Sequence, residues 1–255
     1  MSASLVVGDL ERRFASSRGD VLALQGMNFS VSQNEFVCLV GPSGCGKSTL
    51  LRLIAGLLQP THGQVRFLDW PSEPLCAMVF QVPGLFPWLS VADNVAFGLE
   101  TQGVCQAQRR RQAKDMLGRM GLADFAGHYP RELSGGMLQR AAIARALVTG
   151  PDVLLMDEPF RALDAQTRLL MQEDMLRLCS ERPQTVLFVT HDIEEAILLG
   201  DRVLVMSSRP GRILAEVSVP LGRPRDLTGR SHPEIEELRW QIWRMLEPAA
   251  RLSQA

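Results

Sequence analysis

Short apolar runs broken by polar, glycine-bearing turns set the rhythm of this chain. Residues 35–40, 153–156, 185–190 and 202–206 carry apolar side chains at nearly every position. A strand with one wet face alternates apolar and polar residues. A strand covered on both faces does not, so these runs predict strands buried inside an α/β sheet. Residues 5–14 and 27–31 predict two strands around a polar turn at 16–20. Residues 64–68 and 76–80 predict two more, after the turn Gln59-Pro60-Thr61-His62-Gly63. Helices are predicted over 50–55, from the cap Ser90 onward, and over 106–120, 141–147 and 166–179. Another starts at Asp192, and the last, over 233–246, is amphipathic with Trp240 and Trp243. Residues 207–213 form a hairpin-like turn into an extended stretch at 214–219, and 222–229 read as a polar linker. The middle third is helical and polar while both ends are strand-rich. It reads as a helical insertion in an α/β core.

One turn carries chemistry. Gly41-Pro42-Ser43-Gly44-Cys45-Gly46-Lys47-Ser48-Thr49 has glycine, four residues, then Gly-Lys-Ser. Glycines permit tight turning and close backbone approach. Successive N–H groups and the following helix N-terminus then face phosphate oxygens. Lys47 can reach the outer phosphates, and the Ser48 hydroxyl can ligate Mg²⁺. The plainer alternative is a glycine-rich turn before a helix. An apolar strand before it and a helix after it favour the phosphate cradle.

Further polar residues stand at the ends of predicted strands, where open α/β sheets place their ligands. Asp157-Glu158 follows Val153-Leu154-Leu155-Met156. Adjacent carboxylates there are costly without a cation. Alternation along the strand lets Asp157 serve a metal while Glu158 reaches water. Gln81 ends one strand and His191 follows another. Taken singly, each reads as well as a polar cap. Phe14 divides evenly between an adenine-stacking ring and a core aromatic on an edge strand. Ser134-Gly135-Gly136 opens a helix, an anion-binding geometry, though a simple capped helix fits as well. Val82-Pro83-Gly84-Leu85-Phe86-Pro87-Trp88 predicts a knuckle with Phe86 and Trp88 exposed, against local packing under a loop. Arg109-Arg110-Arg111 reads as a solvated helix face.

Bulk properties narrow this little. The 255 residues are 46% hydrophobic and 22% charged with net charge −1, so a sizeable core fits and no global basic field points to nucleic acid. The five cysteines are odd in number, widely spaced and unlike a disulfide or zinc framework, which fits a reducing cytosol. No apolar stretch has membrane-spanning length, and residues 1–14 lack the apolar run of a signal peptide. With one phosphate loop, there is one such unit per chain.

Phosphate loop, strand-end glutamine, Leu133-Ser134-Gly135-Gly136, Asp157-Glu158, Ala162-Leu163-Asp164 and strand-end His191 occur in that order. Together they resemble the ATP-binding cassette (ABC) ATPases over about residues 5–219. The resemblance implies an α/β fold: a P-loop NTPase (RecA-like) core with an antiparallel β subdomain and an inserted α-helical subdomain. It implies one ABC ATPase domain over 1–255, with core 1–82 and 151–219, helical signature subdomain 83–150, and tail and helix 220–255. ATP and Mg²⁺ are the implied cofactors. Lys47 and residues 41–49 would hold the phosphates, and Ser48, Gln81 and Asp157 the metal. Glu158 resembles the base that polarises water, His191 the switch histidine and Phe14 the adenine-stacking aromatic. Ser134, Gly135 and Gly136 match the signature that meets the ATP of a second copy, so a head-to-tail dimer is implied, with Asp164 at its seam.

Leu85-Phe86-Pro87-Trp88, Tyr129-Pro130 and Ser208-Arg209-Pro210-Gly211-Arg212 look like the importers of nitrate, sulfonates and taurine. That likeness implies two integral-membrane permease subunits, an external solute-binding protein, no nucleic acid, and a peripheral place on the cytoplasmic side of the inner membrane. Phe86 and Trp88 would meet the permease. Two residues depart from the usual pattern: Met137 for glutamine, and Arg161 for glycine or serine. For Arg161, both a partner contact and a solvent-facing cation stay open. Cys45, near a helix N-terminus, carries the expectation of a lowered thiol pKa and alkylation sensitivity, against a plain filler role.

Overall fold

The computed structural model describes residues 3–17, 19–70, 72–181, 184–223, 225 and 233–252. Strands β1 (Ala3–Phe14), β2 (Val21–Ser32) and β4 (His62–Phe67) form an antiparallel sheet in the order β2-β1-β4. Strands β3 (Phe36–Val40), β5 (Cys76–Val79), β6 (Val153–Asp157), β7 (Thr185–Val189), β8 (Arg202–Met206) and β9 (Ile213–Ser218) form a second sheet, ordered β5-β6-β7-β3-β8-β9. Only β9 runs antiparallel to its neighbour there.

The uninterrupted apolar strands have a direct physical cause. In β3, Phe36, Cys38 and Val40 enter one core, and Val37 and Leu39 enter the other. The same split holds for Leu154 and Met156 against Val153 and Leu155, and for Val186 and Phe188 against Leu187 and Val189. One core lies against α1 (Lys47–Ile54) and the antiparallel sheet, through Leu50, Leu51, Leu5 and Met27. The other lies under α4 (Gly135–Leu147), α5 (Ala165–Glu181), α6 (Ile193–Leu199) and α7 (Pro233–Leu252). Helices α2 (Val91–Thr101) and α3 (Gln106–Arg119) pack with α4 as the helical insertion. Ser90 caps α2 as expected, accepting from the Asp93 amide at 3.1 Å.

Some elements exceed their expected bounds. Strand β2 begins at Val21 rather than 27, because Ala23, Leu24 and Met27 are all buried and Gly26, at φ 58°, carries the strand through an irregular step. Helix α7 runs to Leu252, through Pro248. Of the linker expected at 222–229, residues 224 and 226–229 lie outside the described residues. No described helix is long and apolar enough to cross a membrane.

The register sets up the site. Strands β6, β7 and β3 are adjacent and parallel, with Leu39 and Asp157 both opposite Val189. Gly41, Glu158 and His191 therefore leave the sheet at the same edge, although they are far apart in sequence.

Candidate functional site

The loop from Gly41 to Lys47 is built on close approaches. A Cβ on Gly41 would lie 2.9 Å from the Met206 Cβ and 3.0 Å from the Cys45 Sγ. Gly46, at φ 110°, would meet Leu24 at 2.6 Å. Behind the loop, Gly211 is tied to β2: its amide donates to the Ala23 carbonyl at 2.9 Å, and its carbonyl accepts from the Gln25 amide at 3.0 Å. A Cβ on Gly211 would stand 2.2 Å from the Cys45 carbonyl oxygen. The loop is thus backed by β8 and by the turn that follows it.

Lys47 is buried, and its Nζ donates to the carbonyls of Gly41 (2.8 Å) and Pro42 (3.0 Å). Ser48 Oγ donates to Asp157 Oδ1 at 2.9 Å. Burial pushes the Asp157 carboxyl up, while the Ser48 bond pulls it down. Glu158 follows with a left-handed φ of 44°, which non-glycine residues rarely adopt. Its amide donates to the Val189 carbonyl at 3.0 Å. Its carboxylate Oε2 meets His191 Nδ1 at 3.3 Å and accepts from Arg161 Nη1 at 3.0 Å.

A cavity of about 310 Å³ brings most of these together. Phe14, Ser43, Gly44, Gly46, Lys47, Ser48, Thr49, Gln81 and Glu158 all line it, with Arg161 and Arg209. Phe14 is half-buried there under the Arg12 guanidinium, 4.5 Å from its ring centre, so it is no core aromatic. Asp157 is joined to the cavity through Ser48, and His191, half-exposed outside the cavity lining, adjoins the Glu158 carboxylate. Ser134, Gly135 and Gly136 do not line the cavity. Ser134 caps α4 by accepting from the Met137 amide at 3.4 Å, and Ser134 and Gly135 are exposed. Asp164 caps α5, and hydrogen bonds from Thr167, its amide first and then its side chain, hold the carboxyl below its ordinary value, with the Gln166 amide adding less.

Two expectations are corrected. Cys45 is buried, and desolvation raises its thiol pKa, outweighing the lowering effect of Lys47. The helix N-terminus does not make it a low-pKa thiol. Of the two knuckle aromatics only Trp88 is broadly exposed, at 71%. Phe86 is half-buried, stacked between Phe97 (ring centres 4.7 Å apart) and Trp88 (5.5 Å).

Three contributors were missed in the sequence. Arg209 lines the cavity from the turn after β8. Asn94, fully buried, donates to the Phe86, Leu89 and Ser90 carbonyls and accepts from the Phe86 amide. Arg145 on α4 donates to the carbonyls of Pro83 (3.0 Å) and Gly84 (2.9 Å), two and three residues beyond Gln81. An arginine in an alanine-rich buried helix and an asparagine near a cap were the available signals.

Residues 24–161 match the ABC transporter family. The chain is 49% identical over 221 residues to the nitrate import ATP-binding protein NrtD of Synechocystis sp., covering 85% of this chain and 83% of that protein. It is 45% identical over 252 residues to the taurine import ATP-binding protein TauB of Rhizobium johnstonii, covering 95% and 96%. Among solved structures, the dimeric post-hydrolysis state of the ATP-binding cassette MJ0796 bound to ADP and Pi superposes with a TM-score of 0.76 at 32% identity, covering 86% of this chain and all of that one.

Proposed function

The chain belongs to the ABC transporter family of ATPases, and on that premise we propose that it is the ATP-hydrolysing subunit of an importer for a small anion such as nitrate, taurine or another sulfonate. The observation that carries the site is the convergence of Lys47, Ser48, Gln81 and Glu158 on one cavity at the sheet edge. Likeness to NrtD and TauB over most of the chain supports the cargo class.

Within the cavity, the amides of residues 41–49 and the Lys47 ammonium hold the nucleotide phosphates, and Phe14 offers the free face of its ring to adenine. Ser48, Asp157 and Gln81 would hold Mg²⁺. Among the described residues no cluster of three His, Cys, Asp or Glu side chains is placed to bind a metal. A single carboxylate beside a hydroxyl nonetheless suits Mg²⁺, which keeps waters and borrows phosphate oxygens. When bound, that ion neutralises charge on the phosphates. Glu158 orients water and takes its proton, with His191 against the same carboxylate. Ser134 and Gly135 are exposed, Gly136 is half-buried, and all three lie outside the chain's own cavity, which supports their service to a second copy in a head-to-tail dimer. Core, helical insertion and C-terminal helix act as one ABC ATPase domain. Two permease subunits, with a solute-binding protein beyond them, place the chain peripherally at the cytoplasmic face of the membrane.

Glu158→Gln tests the assignment. A general base contributes roughly 10²–10⁴ in rate. Steady-state hydrolysis is expected to fall by about that factor, while ATP binding persists and ATP drives the variant into dimers on size-exclusion chromatography. Intact turnover in Glu158→Gln would sink the assignment.

A further inference from the structure

Arg161 stands where the family pattern has glycine or serine, and its side chain folds back onto Glu158. The chain leaves β6 through the left-handed turn at Glu158, and the Arg161 amide closes that turn by donating to the Glu158 carbonyl at 3.2 Å. The side chain doubles the link, with Nη1 donating to Glu158 Oε2 at 3.0 Å. The two side chains are unequally placed: Glu158 is 12% exposed and Arg161 55%. The guanidinium therefore covers the carboxylate on its solvent side. His191 Nδ1 meets the same oxygen at 3.3 Å. Among the described residues, Arg161 Nη1 and His191 Nδ1 both lie on Oε2.

We propose that Arg161 is a positioning residue for hydrolysis, holding Oε2 so that Oε1 is the oxygen turned to the attacking water. The proposal rests on Glu158 being the base. A carboxylate on a rotatable side chain spends little time in any one orientation. A guanidinium donor and an adjoining imidazole on one oxygen, together with the four-residue backbone turn from Glu158 to Arg161, restrict it. Misplacement of a reacting group by about 1 Å can cost 10²-fold, so restricting the carboxylate has kinetic weight even though half-exposed ion pairs add little stability. A single guanidinium nitrogen, Nη1, donates to Glu158, so a lysine ammonium can take over the contact.

The test is steady-state ATP hydrolysis by the purified dimer, with ATP affinity measured separately by equilibrium binding. Arg161→Ala is expected to lower kcat by about tenfold, leaving KM and Kd for ATP within about twofold, and Arg161→Lys is expected to restore most of the rate. Thermal midpoints check that both variants are folded. In a Glu158→Gln background, Arg161→Ala is expected to change the residual rate by less than about twofold, because a residue acting through Glu158 has nothing left to position. Full kcat in Arg161→Ala overturns the proposal. So does a rise in KM and Kd at constant kcat, which would make Arg161 a nucleotide-attracting cation, failure of lysine to rescue, or an undiminished tenfold loss in the double variant. Wild-type turnover in Glu158→Gln alone overturns the reading of Glu158 itself, a result that Arg161→Ala alone does not produce.

Discussion

Glu195 is 5% exposed and accepts from Gln172 Nε2 at 2.9 Å. Desolvation pushes its carboxyl above the ordinary 4.5, and the Thr190 and Gln172 hydrogen bonds offset only part of this. The folded pKa therefore exceeds the unfolded one. The contribution of this group is fully present below 4.5 and is lost as pH rises through the folded value. Glu195→Gln keeps the neutral form at every pH. It is expected to melt higher than wild type at pH 7, by about 2–4 °C for each kcal/mol recovered, with the difference vanishing near pH 4. Calorimetry at the two pH values checks this; an equal shift at both would assign the gain to packing. That Lys47, Ser48, Asp157 and Glu158 gather at one sheet edge was legible in advance, because a turn and the end of a strand are both specified by local residue types and spacing. Cys45 went the other way because its environment comes from Gly41, Met206 and Gly211, which close over it only in three dimensions. The direction of Arg161 was equally hidden, since it depends on the positive φ of Glu158.

At the scale of elements, the loop after Gln81 is held from both sides. Asn94 fixes it to α2 through the backbone of Phe86, Leu89 and Ser90, and Arg145 fixes it to α4 through Pro83 and Gly84. Burial disfavours the charge on Arg145, and the two carbonyls compensate. Helix α4 and the knuckle thus form one piece. Asn94→Ala removes the side-chain partner of the part-buried Phe86 amide and Leu89 carbonyl, while the Phe86 and Ser90 carbonyls keep the Leu89 and residue-94 amides; the expected cost is about 2–3 kcal/mol in urea unfolding, and a change under about 0.5 kcal/mol would show that water replaces the lost amide. Strands buried on both faces were legible because both cores demand apolar residues. The first part of β2 was less so, since half-buried Leu22 and Gln25 and the turn at Gly26 break any simple period. Phe86 was read as exposed because its stacking partner Phe97 lies on the next helix.

For the whole molecule, the arrangement separates two surfaces. The cavity and the exposed N-terminus of α4 are the surfaces proposed to meet a second copy, and Trp88, exposed elsewhere, is the residue proposed to meet the membrane subunits. Trp88→Ser is expected to abolish co-purification with the membrane subunits while the isolated protein hydrolyses ATP at its wild-type rate. Retained co-purification would remove Trp88 from the docking surface.

The sheet order has one more consequence, for synthesis. Strand β3 delivers the chain into the phosphate loop, yet its hydrogen-bonded neighbours are β7 and β8. The loop also leans on Gly211. While the chain emerges from the ribosome, the segment at 41–49 precedes its own scaffold by about 160 residues, the span to Gly211. A truncated product ending at residue 161 would hold the nucleotide-binding motif with β3 unpaired on both edges. Nucleotide binding is therefore a late acquisition in the life of the chain, arriving only when the last third has folded back around the first.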